Sequence, residues 1–401
     1  MKKVLMISPS SYPVIGAEAI VNIKLLKTLS DSQQFSIDLI SRRWKWAKYP
    51  SDTLESFGIR LDSLEIVEVD NVINIKTILQ NLFTYLKFGI LYRGYHWAYP
   101  AWKIVHKKIK KNHYDYVLTK DVPSLLLGYY LKKRFGIKWV ATWNDPCPWI
   151  MYPKPYGKGL DAKLSKMHKK IIAKMQEADV HIFPNPRIRD YMNKYLHVDE
   201  SKCVVIPHVI IPPTEGGVKH IYGDSLRLIH SGNLENPRNP NTFLRAFRRF
   251  IDKKPDARIS FTIMGHCDAS VNNLISELKL EQYVYYVSPV EYKESLQKLS
   301  AYDIAVIIEA DCEEGIFLPT KVSDFLQMSI PIFAVSPQVG ILNDLYKEKQ
   351  VSYFAAVNDV DSIYDEINRL YADYENKEIH KVECYLKSMT MDYVVEKYLS
   401  I

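Results

Sequence analysis

Ala310-Asp-Cys-Glu-Glu-Gly-Ile-Phe-Leu-Pro-Thr-Lys-Val-Ser-Asp-Phe-Leu-Gln-Met-Ser-Ile-Pro-Ile-Phe-Ala334 decides the architecture of this chain. It follows an apolar run, Asp303-Ile-Ala-Val-Ile-Ile308, that reads as a buried strand. An acidic, glycine-containing loop comes next at Glu313, Glu314 and Gly315, and Pro319 to Lys321 leads into a helix with Val322, Phe325, Leu326 and Met328 at helical spacing. Pro331 then opens a second strand, Ile332-Phe-Ala-Val335. Strand, polar loop, helix and strand form a crossover unit, and open parallel sheets bind ligands outside the carboxyl ends of their strands. The loop is therefore expected where a nucleotide would bind.

The same alternation extends in both directions. Toward the N-terminus, strands are expected over 4–7, 35–40, 116–118, 139–142 and 180–183, with helices over 19–29, 124–135 and 164–178. A proline-rich crossing, Val204-Val-Ile-Pro-His-Val-Ile-Ile-Pro-Pro213, interrupts it. It restarts with strands over 226–230, 259–264, 283–287 and 304–308 and helices over 242–251, 271–278 and 292–299. Such alternation favours right-handed βαβ units in parallel sheets. Two arrays joined by a proline-rich connection predict an α/β protein of two Rossmann-like domains facing each other across a cleft. The expected limits are 1–205 for the N-terminal domain and 206–388 for the C-terminal one, with a helix in 389–401 packing back on the first.

Composition fits that plan. A chain of 401 residues exceeds one ordinary core and suggests two domains of roughly 200 residues. With 47% hydrophobic and 25% charged residues, it reads as a globular protein rather than a disordered one. No apolar run reaches the ~18 residues that span a bilayer. The apolar stretch after Lys2 and Lys3 is too short for a signal peptide and reads as the first strand. Five cysteines (147, 203, 267, 312, 384) lack metal-ligand spacing, and their odd number argues against a disulfide framework. A cytoplasmic location is expected.

The net charge of +7 is unevenly spread. Lys103, Lys107, Lys108, Lys110 and Lys111 share one helical stretch, Lys132, Lys133 and Arg134 follow, and Lys163, Lys166, Lys169, Lys170 and Lys174 form another series. Such faces either solvate a helix or attract phosphate-bearing partners, anionic lipid headgroups among them. No nucleic-acid-binding motif accompanies them, so no nucleic acid partner is expected. Residues 72–100 join a strongly apolar helix to Tyr92, Tyr95, His96, Trp97 and Tyr99. Periodicity leaves two readings open: a core-facing helix with a packed loop, or a segment that touches the inner membrane face or a lipid-linked acceptor.

Several further stretches carry a resemblance. They are Tyr12-Pro-Val-Ile-Gly-Ala-Glu18, Glu177-Ala-Asp-Val180, Ile206-Pro-His-Val209, His230-Ser-Gly-Asn-Leu-Glu-Asn-Pro-Arg-Asn-Pro240, Met264-Gly265 and Asn358-Asp-Val-Asp-Ser362. In this order, together with 310–334, they resemble the GT-B glycosyltransferases over nearly the whole chain, particularly the large family 4 of bacterial polysaccharide enzymes.

The resemblance implies a hexosyltransferase of cell-surface polysaccharide synthesis. It would use a nucleoside diphosphate sugar donor and a glycan or lipid-linked acceptor, with no cofactor and no metal. Gly16 and Asn233 fall in the loops that approach the donor phosphates. Arg238 and Lys321 would hold the diphosphate, whose negative charge builds as the glycosidic bond breaks. Asp324 would accept from the ribose hydroxyls, and Glu313, Glu314 and the backbone at Gly315 would hold the sugar, with Glu313 the catalytic acid residue. Asp145 would act as a base toward the acceptor.

The chain also departs from the family pattern. Ile316 stands where retaining members carry the first acid of a pair ending at the position of Asp324, and Asn233 and Asn239 stand where an Arg and a Lys are usual. No His occurs in Thr142-Trp-Asn-Asp-Pro146. These losses keep two other readings open, a GT-B sugar-nucleotide epimerase and a scaffold that has lost catalysis. A nicotinamide dehydrogenase is disfavoured, because no Gly-x-Gly-x-x-Gly follows the first strand. Asp359-Val-Asp361 precedes a helix and is expected to cap it rather than bind metal. His208, His230 and His266 end strands, where packing or a cleft-lining role is open. Trp143, Trp149 and Tyr152 would either pack or stack on an acceptor sugar.

Overall fold

A computed structural model describes residues 1–46, 50–92, 94–212, 223–379 and 386–401. The chain forms two compact units. One comprises Met1–Tyr152, Gly157–Val209 and Ser388–Ile401, and the other comprises Pro153–Tyr156 and Ile210–Lys387. Pro213 of the expected connection and Cys384 lie outside the described residues.

In the first unit the elements run β1 (Lys2–Ile7), α1 (Ala17–Asp31), β2 (Phe35–Trp44), β3 (Ser63–Val69), α2 (Ile75–Phe88), α3 (Ala98–Lys111), β4 (Tyr116–Thr119) and α4 (Leu125–Phe135). They continue β5 (Trp139–Thr142), α5 (Lys166–Met175), β6 (Val180–Phe183), α6 (Pro186–Leu196) and β7 (Cys203–Val205). The strands make one parallel sheet in the order β3-β2-β1-β4-β5-β6-β7. Val4, Leu5, Met6 and Ile7 of β1 are all buried, as a strand covered on both faces requires. The alternation expected from the sequence omits β3, an edge strand in which only Val67 and Val69 are buried, so its apolar signal is weak.

The second unit runs β8 (Leu226–Ser231), α7 (Asn241–Lys253), β9 (Ile259–Met264), α8 (Ala269–Glu277), β10 (Val284–Val287), α9 (Tyr292–Leu299) and β11 (Ile304–Ile308). After these come α10 (Lys321–Gln327), β12 (Ile332–Ser336), α11 (Ile341–Lys347), β13 (Tyr353–Ala356) and α12 (Val360–Glu375). Its parallel sheet has the order β10-β9-β8-β11-β12-β13. Phe243, Phe247 and Phe250 on α7 share a core with Phe261 of β9 and Ile363 and Ile367 of α12. Asp359 caps α12 through the backbone N–H groups of Asp361 and Ser362, the role its place before a helix predicts.

The last helix, α13 (Met391–Ser400), belongs to the first unit. Val394, Val395 and Tyr398 enter the core that holds Val4, Leu26 and Tyr116. The Tyr116 hydroxyl donates to the Tyr398 carbonyl at 3.4 Å.

The fold class is thus the expected one, two Rossmann-like parallel sheets. In each sheet the chain leaves its first strand in one direction and later returns to its other side. The reversal falls between β1 and β4 in one unit and between β8 and β11 in the other. Such switch points open crevices at the carboxyl ends of the strands, where ligands bind.

The two readings of 72–100 are resolved separately. Tyr95, His96 and Trp97 are buried, whereas the apolar stripe of α2 faces solvent. The core-facing reading therefore holds for the loop and fails for the helix.

Candidate active site

At the switch point of the second unit, β8 ends on His230 and Ser231 and β11 on Ile308. The His230 ring lies across the two strands. Nδ1 is 3.1 Å from the Val306 carbonyl oxygen, an acceptor only, which assigns the ring proton to Nδ1. Nε2 is left as an acceptor, and the Lys321 ammonium reaches it at 3.4 Å. Burial, and then the neighbouring Lys321 charge, hold His230 well below its usual 6.5, so it serves as a neutral anchor for the lysine. Lys321 itself is pushed down from 10.5 to about 8, first by burial, with Glu309 opposing and Arg238 adding to the shift.

Gly232 makes room for this lysine. A Cβ there would lie 2.6 Å from Lys321 Nζ, and the residue sits at φ +133°, a region that L side chains rarely adopt. A Cβ on Gly265, at the end of β9, would lie 2.2 Å from the Gly232 carbonyl oxygen. Two strand-end glycines therefore bring backbone and ammonium together where the sheet reverses.

Arg238 lies on the loop between β8 and α7. Its Nε donates to Glu309 Oε2 at 3.3 Å, and the pair joins a side chain 40% exposed to one 10% exposed. The Glu309 charge raises the guanidinium above its already high value. The Tyr156 hydroxyl donates to the same carboxylate oxygen at 3.4 Å, and its ring lies beneath the guanidinium, 5.5 Å from Cζ. Phe317 meets that ring edge-on at 5.2 Å. Arg238, Glu309 and Lys321 thus form one charged cluster braced by an aromatic pair.

The loop quoted at the outset is tied down at its middle. Gly315 N–H donates to the Val339 carbonyl and the Gly315 carbonyl accepts from Ile341 N–H, both at 2.9 Å. Added side chains would meet the facing backbone, since a Cβ on Gly340 would lie 3.0 Å from the Gly315 oxygen. Glu313 is exposed and Glu314 half-buried within this loop. Asp324, in the first turn of α10, is buried and accepts from the Tyr292 hydroxyl at 2.7 Å. Asn233 is exposed, and its side-chain oxygen accepts from the His266 N–H at 3.3 Å.

The first unit holds a second polar cluster at its own switch point. Gly16 precedes α1 at φ +85°, exposed, with open space around the missing Cβ. Glu18, in the first turn of α1, accepts from the Asn144 amide at 2.6 Å. Its carboxyl is raised well above 4.5, first by burial, then by Asp121, with Asp145 adding to the shift and Lys120 opposing it. Asp121, at the end of β4, accepts from the Ser10 N–H at 2.8 Å and the Ser8 hydroxyl at 3.2 Å. Lys120 is 3% exposed, and burial lowers it. Asp145 is half-buried beside Asn144, and its carboxylate adds to the burial that pushes the Tyr152 hydroxyl up. His208 is buried and held to about 3 by that burial.

Comparison with known proteins bears on what such sites do. Residues 80–212 match the family described as Glycosyltransferase Family 4, and residues 225–373 match Glycosyl transferases group 1. This chain is family 4-like and has the GT-B fold. The uncharacterized glycosyltransferase MJ1059 of Methanocaldococcus jannaschii is 22% identical over 251 residues, a match that takes in 60% of this chain and 58% of that relative. The chain thus spans under two thirds of that relative's length. The sucrose-phosphate synthase of Thermosynechococcus elongatus superposes with a TM-score of 0.66 at 13% identity, over 100% of this chain and 98% of that one. Anabaena Alr3699/HepE, solved with UDP and glucose, gives 0.65 at 13% identity, over 100% and 99%. At such identities the likeness establishes the fold.

In this chain the structure brings Arg238 and Lys321 into one cluster and sets Asp324 on the same short helix as Lys321. Gly16 and Asp145 lie in the other unit, Asp145 beside the Glu18 and Asn144 pair. The sequence reading missed Glu309, Tyr156 and Tyr292, which hold Arg238 and Asp324, and gave no role to Glu18, Lys120 or Asp121. A carboxylate just after β11 was the one available signal for Glu309. Trp143 is packed, its indole N–H donating to His181 Nδ1 at 3.0 Å, while Trp149 stays 61% exposed. Among the described residues, no group of three or more His, Cys, Asp or Glu is placed to hold a metal ion.

Proposed function

We propose that this glycosyltransferase moves a hexose from a uridine diphosphate sugar to a glycan or lipid-linked acceptor in cell-surface polysaccharide synthesis, at the cytoplasmic membrane face and without a metal. The observation that carries the reading is the pairing of Arg238 and Lys321 at the switch point between β8 and β11, with Gly232 and Gly265 clearing the approach. Two fixed cations supply the charge that a departing diphosphate needs, which elsewhere a divalent ion provides. The UDP held by the Anabaena protein of the same fold supports uridine as the base.

In this account Lys321 and Arg238 bind the diphosphate oxygens, and Asp324 accepts from the ribose hydroxyls. Gly16 and Asn233 offer backbone and amide to the phosphates. Glu313, Glu314 and the Gly315 backbone hold the sugar hydroxyls, and Glu313 stabilises positive charge that develops at the anomeric carbon. The bond between that carbon and the diphosphate oxygen breaks as the acceptor oxygen bonds to it. The acceptor proton passes to Asp145, and the nucleoside diphosphate leaves with the bonding pair.

The test is a thermal-shift panel of UDP-, GDP-, ADP- and CMP-sugars with EDTA present, run on the protein and on Lys321→Ala. A ligand that binds only the folded state raises its melting temperature. A shift with UDP-sugars that is lost in the variant is the expected result. No shift with any nucleotide sugar, or a shift that needs added metal, overturns the proposal.

A further inference from the structure

Helix α2 is amphipathic in the inverted sense. Asn74 and Thr77 form a capping box at its start, and Gly89 ends it in the left-handed conformation, as in an ordinary surface helix. Yet what it buries is Thr77, Thr84 and Phe88. Ile75, Ile78, Leu79, Leu82, Phe83 and Leu86 stand exposed, Ile75 at 79% and Leu86 at 68%, in a stripe with helical spacing. Val72 and Ile73 prolong the stripe before the helix and Leu91 after it. An open groove of about 430 Å³ runs along it, lined by Ile78, Asn81, Leu82, Tyr85, Leu91 and Tyr92. Contiguous apolar surface of this kind marks a face that another apolar body covers.

Charge decides which body. From residue 71 to residue 114 the chain has no Asp or Glu, but it has seven Lys and one Arg. Lys76, Lys103, Lys107, Lys110 and Lys111 are exposed. The α3 helix that bears four of these packs against α2 and against α4, and α4 packs against α5. The exposed Lys133 and Arg134 and the exposed Lys166, Lys169 and Lys170 extend the basic surface over those neighbours. A second copy seated on α2 about a two-fold axis would set an acid-free segment against itself. An anionic lipid surface satisfies the apolar stripe and the lysines together. The helix has 14 residues, and no described helix is long and apolar enough to cross a membrane, so a bilayer would meet α2 along its face rather than end to end.

We propose that α2 is a docking helix for an anionic bilayer. Its exposed stripe enters the boundary between headgroups and acyl chains, while the lysines of α3 to α5 face the headgroups. This deepens the membrane-face part of the proposed function, but docking needs neither donor nor acceptor, so flotation and transfer can fail separately.

The experiment is flotation of the full chain with vesicles, either of phosphatidylcholine alone or of phosphatidylcholine mixed with phosphatidylglycerol, at low and high salt. Two variants accompany it, Leu82→Ser with Leu86→Ser, and Lys103→Glu with Lys107→Glu. Light scattering reports oligomeric state and melting curves report folding. The protein should bind the mixed vesicles, bind more weakly at high salt, and bind the neutral ones least. The serine variant should partition at least roughly tenfold less, since two large side chains leave the apolar phase. The glutamate variant should lose the preference for anionic lipid. Absence of binding to mixed vesicles, or equal binding by the serine variant, overturns the proposal. So does a solution dimer that the serine changes split. If the serine variant melts early, the salt dependence and the glutamate variant still decide.

Discussion

Replacing Lys321 by methionine should make the free protein more stable and its nucleotide binding weaker. In the free protein the ammonium sits behind Gly232, 3.4 Å from a neutral His230, and titrates at about 8 instead of 10.5. The folded value lies below the unfolded one, so the folded state binds fewer protons between about pH 8 and 10.5. Stability therefore rises with pH through that window, and the charged lysine costs stability below it. The side chain is only half-buried and Glu309 is near, so the cost is discounted to about 1 kcal/mol. Methionine removes that cost, and about 1 kcal/mol corresponds to roughly 2–4 °C in melting temperature for a unit of this size.

The effect on ligand runs the other way. A charge-assisted hydrogen bond to a diphosphate contributes about 1.5–3 kcal/mol, so its loss should weaken UDP binding roughly 10- to 150-fold. At pH 9 an ammonium that titrates near 8 is about nine-tenths neutral, so the unsubstituted protein should bind UDP about tenfold less tightly than at pH 7. The methionine variant should show no such fall. Calorimetric titration with UDP at pH 7, 8 and 9, with scanning calorimetry of the free proteins, reads all of these effects. A variant that melts lower and binds UDP unchanged, or a flat pH profile for the unsubstituted protein, would mean that Lys321 neither destabilises the free protein nor holds the diphosphate.

Three other changes probe the same structure. Gly232→Ala adds a Cβ 2.6 Å from Lys321 Nζ at a positive φ, so UDP affinity should fall sharply while urea unfolding shows a loss of about 1–3 kcal/mol. Glu18 has a folded value well above 4.5, so the folded state holds the extra proton and stability falls as pH rises through that range. Glu18→Gln keeps an acceptor for Asn144 and should melt higher than the unsubstituted protein at pH 8, with the gap closing toward pH 4 in a pH series of melting curves. Asp359→Ala removes the cap of α12 and should cost about 1 kcal/mol by urea unfolding, with UDP affinity unchanged.

Much of the fold was legible because a parallel sheet buries both faces of its strands. Runs such as Ile304–Ile308 and Ile332–Ser336 are then almost uniformly apolar and stand out between polar loops. An edge strand such as β3 buries only two residues and left no such mark. The place of Lys321 and Asp324 in the first turn of a helix was legible because that helix follows a strand-end loop. The parts that position them were not: Tyr156 reaches Glu309 across 153 positions of chain, and no local pattern encodes that contact. Helix α2 shows a different limit. Its periodicity announced an apolar stripe, but the stripe faces outward, and period alone carries no sign for inside or outside. The pairing of Glu18 with Asn144, like the tilt of His230 toward Lys321, emerges only when strand ends are brought side by side.

The measurement that bears most directly on the account is transfer itself. The protein and Lys321→Ala are each incubated with the sugar nucleotide that stabilises the folded state, with and without a detergent extract of membrane lipids and glycans, and both nucleotide release and sugar incorporation are followed. The account predicts UDP release matched by incorporation into the extract, slow release without it, and neither with the variant. Binding without release in the presence of extract, or conversion of the sugar with no acceptor present, would contradict it.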